Sequence, residues 1–80
     1  MKIQLIDGSF SAKDSVEIVT KMIEVKINYH ENKIQSSSNE EDIKMRENKI
    51  KDLQNELVKL REYASLHDNH IISMHFEILI

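Results

Sequence analysis

The sequence predicts an α+β fold in the order strand, helix, helix, strand. Three observations carry this. Apolar residues alternate with polar ones at both ends of the chain. They recur at helical i, i+3, i+4 spacing through two long central stretches. A single polar breaker, Ser36-Ser37-Ser38-Asn39, separates those stretches. One glycine and no proline in 80 residues argue against a many-turned fold such as a sandwich.

The first strand is expected over Met1–Ile6, where Met1, Ile3 and Leu5 alternate with Lys2 and Gln4. Asp7-Gly8-Ser9 reads as a turn, because glycine reaches the φ > 0 conformations of tight turns at low cost. Ser11 is a helix N-cap with Asp14 three residues on, a Ser-x-x-Asp variant of the capping box.

The first helix is expected over about Ala12–Gln35. One apolar stripe is Val16, Val19, Ile23, Ile27 and Ile34, with His30 filling the remaining step. A second is Ile18, Met22, Val25 and Tyr29. Together they form an arc wider than one neighbouring helix covers, so this helix should touch two surfaces, such as the sheet and the second helix.

The second helix is expected over about Glu40–Leu66, capped by Asn39 or Ser38, with Glu40, Glu41 and Asp42 suiting the positive end of its dipole. Its seam reads Ile43, Arg46, Ile50, Leu53, Leu57, Leu60, Ala64, His67, a strict heptad alternation. Glu40–Lys44, Asp42–Arg46 and Glu47–Lys51 are i,i+4 pairs in the favourable order, each worth about 0.2–0.5 kcal/mol in an isolated helix. The remaining face is polar and solvated. His67-Asp68-Asn69-His70 ends the helix, and Ile71–Ile80 reads as a strand with Ile72, Met74, Phe76, Ile78 and Ile80 on one face.

A short linker makes the two helices an antiparallel hairpin, and reversal at each connection makes the strands antiparallel. The expected architecture is a long helical hairpin packed on a two-stranded antiparallel sheet, in a single domain of 80 residues. A helix of about 27 residues is about 40 Å long. A six-residue strand reaches only about 20 Å, so the hairpin should overhang the sheet. Two strands alone are marginal in water, and Ile71–Ile80 lacks the proline, glycine bulge or lysine that guards an open edge. The fold is therefore expected to be completed as a homodimer, through the sheet or through the helices. Met22, Val25, Tyr29, Met74, Phe76 and Ile78 are the candidate interface residues.

Composition bounds the function classes. With no cysteine the chain has no disulfide, thiol nucleophile or thiolate metal site. A net charge of −3 supplies no global basic field for nucleic acid. The basic residues of the second helix are interleaved with acids, as on a solvated face, and two Phe and two Tyr offer little for base stacking. No stretch reaches the roughly 18 apolar residues of a membrane span, and no signal peptide is visible, so a cytoplasmic setting is expected.

Among candidate sites, His30 should sit across the hairpin from Glu47 and Ile50, bonding Glu47 or Arg46. His67 and His70, three apart at a helix end, with Asp7 and Asp14 at the same end, are weak candidates for Zn²⁺ or Ni²⁺. Helix capping accounts for them more simply. His75 should lie beside Glu77 on the outer sheet face. Gly8 alone makes no phosphate loop, and Ser9 and Ser11 lack a convincing base. No cofactor and no catalytic set is expected.

Ile6-Asp7-Gly8-Ser9-Phe10-Ser11, Lys26-Ile27-Asn28-Tyr29-His30 and the charged second helix resemble a group of small uncharacterised bacterial proteins. The resemblance spans most of the chain and implies the strand–helix–helix–strand order and a bacterial cytoplasmic setting. That group has no established activity, so no functional residue carries over. The expected role is a non-enzymatic homo-oligomeric module that meets another, unidentified protein. The alternative is a small metal- or ligand-binding protein using His67, His70 and a nearby carboxylate.

Overall fold

The computed structural model describes all 80 residues, Met1–Ile80. Its order is β1 (Lys2–Ser11), α1 (Ala12–Ser36), α2 (Glu40–Leu66) and β2 (Ile71–Leu79). The two strands form one antiparallel sheet, and the helices form an antiparallel hairpin that stands on it. The α+β architecture expected from periodicity is the one observed.

The first strand is longer than the alternation of Met1–Ile6 indicates. Asp7-Gly8-Ser9 is not a turn. These residues pair with His75, Met74 and Ser73, and Gly8 has no positive φ. Ladder pairing along the whole of β2 overrides the local turn preference. The strand shifts phase at a β-bulge: Gln4 pairs with Glu77 and Ile6 with Phe76, which leaves Leu5 as the extra residue. Without the bulge, Ile3 and Ile6 would point to opposite faces. With it, Ile3 pairs Ile78 and Ile6 pairs Phe76, so both join the apolar side.

No loop joins β1 to α1. Ser11 ends the strand, still paired with Ile71, and also caps the helix. Its Oγ accepts from the Asp14 N–H at 3.1 Å. The hairpin tip is held by its own polar side chains. Ser36 Oγ donates to the carbonyls of Asn32 and Lys33, and Asn39 Oδ1 accepts from the Asp42 N–H at 3.1 Å.

The heptad seam of α2 is observed as expected. Ile43, Arg46, Ile50, Leu53, Leu57, Leu60, Ala64 and His67 are each half-buried, while nearly everything else on α2 is exposed. Of the anticipated ion pairs along α2, Asp42–Arg46 closes at 3.3 Å. Glu40–Lys44 and Glu47–Lys51 do not; an exposed Glu56–Lys59 pair forms at 3.1 Å. Such exposed pairs add little to stability.

The two helices do not lie over the sheet together. α1 meets both strands and α2, as its wide apolar arc requires, whereas α2 meets only α1. Sheet, α1 and α2 follow one another as a slab measuring 46 × 35 × 14 Å over Cα atoms. Its radius of gyration is 15.2 Å. A compact chain of this length would have about 12 Å.

Only Ala12, Ser15 and Ile23 are buried. Ala12 and Ser15 sit where α1 leaves the sheet, and their small side chains let the chain turn back without a loop. Ser15 is completely buried, and its hydroxyl has no hydrogen-bond partner. An unpaired buried hydroxyl costs about 1–3 kcal/mol. Ser15→Ala is therefore expected to raise the urea midpoint of unfolding, by about 1 kcal/mol in free energy. Ser15→Leu should lower it by about 1–3 kcal/mol through overpacking. A destabilised Ser15→Ala variant would show that the hydroxyl is satisfied in solution.

Candidate interaction site

From the Ser11–Ala12 joint the sheet and α1 diverge. The space between them is an apolar cleft of about 650 Å³. Val19, Met22, Ile23, Val25 and Tyr29 line it from α1, and Leu5 and Phe76 from the sheet; Lys26 is its single charged residue. Helical spacing places Met22, Val25 and Tyr29 along one side of α1. The β-bulge brings Leu5 to the same cleft as Phe76.

The walls of the cleft are exposed. Val25 is 70% exposed, Tyr29 46% and Phe76 42%. Ile3 and Ile78, a facing pair farther along the sheet, are similarly open. Total accessible surface is 6266 Å². A compact monomer of this mass would show about 5,000 Å². The chain thus exposes about a quarter more surface than its size calls for, and the cleft is its apolar concavity.

Four of the six expected interface residues, Met22, Val25, Tyr29 and Phe76, meet in this cleft. Met74 and Ile78 do not line it, but they alternate in phase with Phe76 on the same sheet face. Leu5, Val19, Ile23 and Lys26 were missed as partners of that set. The adjacent apolar pair Leu5-Ile6, which breaks the alternation, was the available signal for the bulge.

The histidines occupy three separate places. His30 Nδ1 lies 3.1 Å from Arg46 Nη1, and Arg46 Nε donates to Asp42 at 3.3 Å. Of the two anticipated partners, Arg46 is the one His30 takes. Arginine only donates, so His30 accepts here as a neutral ring. His67 and His70 do come together, with ring centroids 4.7 Å apart. Tyr63 joins them: its hydroxyl is 3.2 Å from His70 Nδ1, and its ring lies 4.5 Å from that of His67. His67 caps α2, its N–H donating to the Tyr63 carbonyl. Nowhere do three His, Asp or Glu side chains converge to hold a metal ion. Asp7, expected near His67, stands instead beside His75, whose other nitrogen is 3.4 Å from Glu77.

No protein-family model, curated protein or solved structure matches the chain. No helix is long and apolar enough to cross a membrane.

The His30 pKa is lowered. Desolvation in the interhelical seam is the main cause, followed by the positive charges of Arg46, Lys26 and Lys49. With the folded-state pKa below the unfolded value of 6.5, the unfolded chain takes up the proton first as pH falls. The contribution of His30 to stability is therefore whole above that value and is lost as pH drops through it towards the folded pKa. His30→Gln keeps an acceptor for Arg46 without titrating. Relative to wild type, the variant should gain stability in urea unfolding as pH falls below about 6.5. A difference that stays constant with pH would contradict this.

Proposed function

We propose that the chain is a non-enzymatic, homo-oligomeric protein-interaction module whose apolar cleft is its association surface. The observation that carries this reading is the cleft itself, open and walled by Val25, Tyr29, Leu5 and Phe76. Monomeric proteins rarely leave such contiguous apolar surface uncovered. An 80-residue chain with three buried residues also has little core of its own. A second copy supplies apolar surface of the same kind and is the first partner. Another, unidentified protein then meets the hairpin tip or the solvated face of α2. Nucleic acid and membrane have no place in this reading, since the exposed helical charges are of mixed sign. The cytoplasmic setting expected from the sequence belongs to the same proposal.

Light scattering across a wide concentration range tests it. The natural chain is expected to be a dimer that persists to low micromolar concentration. Val25→Glu, at a position already 70% exposed in the single chain, should leave the helical circular dichroism intact and shift the mass to that of one chain. A natural chain that stays a folded monomer throughout would sink the reading.

A further inference from the structure

The geometry points to the outer edge of β2 as the place where a second copy of this chain docks, giving a four-stranded antiparallel sheet with the two β2 strands at its centre. This rests on the homo-oligomeric reading above and adds which edge is used and how the cleft is closed.

The hydrogen-bond pattern identifies the free groups. Met1 and Ile80 exchange both backbone bonds, each at 2.8 Å. In an antiparallel ladder such closely bonded pairs alternate with pairs whose N–H and C=O groups point away from each other. Counting back along β2, the groups of Leu79, Glu77, His75, Ser73 and Ile71 face away from β1. No third strand covers them, and α2 makes no contact with either strand. The bulge does not interrupt this row, because its extra residue, Leu5, is on β1.

The two edges of the sheet differ. The edge of β1 is broken by the bulge and carries Lys2 at one end, both features that discourage pairing with another strand. The edge of β2 is continuous over nine residues, with no glycine, proline, lysine or bulge. A second β2 meets it with the same run of groups in antiparallel sense, the self-complementarity a two-fold axis requires.

Edge pairing also accounts for the cleft. Two strands make a floor about 10 Å wide, room for one helix; four make about 19 Å, room for two. Joining the β2 edges makes one apolar floor from Ile72, Met74, Phe76 and Ile78 of both copies. The second stripe of each α1 then lies over that floor, and Val25 and Tyr29 gain the neighbours they lack. If each copy hides the surface it shows in excess of a compact monomer, the pair buries about 2,500 Å² in total. That exceeds the roughly 1,600 Å² of a standard stable interface and falls in the range of obligate homodimers.

Amide hydrogen exchange on the full chain, with mass followed by light scattering, tests the docking. In the dimer, the amides of Ser73, His75 and Glu77 should be slowed at least about tenfold relative to the same amides after dilution to monomer. Those of Asp7 and Ser9, outward on the other edge, should exchange fast in both states. His75→Pro removes only an outward N–H, which an edge strand tolerates; it should give a folded monomer. A dimer in which Ser73, His75 and Glu77 exchange fast, or a His75→Pro chain that still dimerises, overturns the edge docking and leaves the homo-oligomeric reading standing. A natural chain that is monomeric at every concentration overturns both. If His75→Pro fails to fold, the exchange pattern of the natural chain decides.

Discussion

The apolar arc of α1 is the constraint on which the rest of the structure depends. It carries two stripes, and the chain supplies one narrow helix and two strands to cover them. α2 covers part of the first stripe along a half-buried seam of isoleucine and leucine, while Val19 and Ile23 of that stripe also border the cleft on the sheet side. Burying such a side chain completely stabilises by about 1.5–3 kcal/mol, and these are only partly buried. The second stripe falls to the sheet, which is joined to α1 without a loop. Because Ser11 is both strand residue and cap, sheet and helix share a pivot at Ala12 and Ser15. Packing is close at that pivot and again at Ile23, eleven residues beyond Ala12, whereas the cleft-facing side of α1 stands open. Ser15 is fully buried there, while Val25, almost three turns on, is 70% exposed.

A polar group in the seam has a cost, and Arg46 and His30 show how it is limited. Both stand on apolar faces in the half of the hairpin nearer its tip, and both are half-buried. Arg46 satisfies its donors with Asp42 one turn before it and His30 across the seam, and its guanidinium lies 5.7 Å from the Tyr29 ring centre. A seam of Ile, Val and Leu alone tolerates sliding by a turn. A hydrogen bond that spans the two helices does so in one register only, the best-attested use of polar residues at such positions. The cost in packing is set against a fixed pairing of α1 with α2.

What was legible in the sequence follows the strength of each local signal. The α2 seam was readable because eight positions repeat one pattern and all of them face one neighbour. The caps at Ser11 and Asn39 were readable because their bonds are local. The second half of β1 was not. Asp7-Gly8-Ser9 has turn chemistry, and only its partners 64 to 68 residues away, Ser73 to His75, make it strand. That one error propagates. With β1 ending at Ile6, Asp7 is placed near His67, and its position beside His75 cannot be inferred. The cleft was half legible. Met22, Val25 and Tyr29 could be read as surplus from helical spacing alone, whereas Leu5 reaches them only through the bulge. The narrow stripe of α2 meets a single neighbour, α1, and leaves the sheet to it.

The open edge and the open cleft need not share a cause, yet one operation answers both. A partner seated only in the cleft would cover Val25 and Tyr29 and leave nine residues of strand edge bare. A strand added only to the edge would satisfy those backbone groups and leave α1 exposed over a wider floor. A second copy brings one edge and one stripe together, so the two are covered in a single event. Under that proposal folding and association become linked, and stability depends on chain concentration by mass action. The unguarded β2 edge, a liability on a monomer, then needs no guard, because pairing is its native state. The bulge in β1 acquires a second consequence by the same reasoning. It turns the outer edge of the joined sheet away from further pairing, so that association ends at two chains rather than continuing strand by strand.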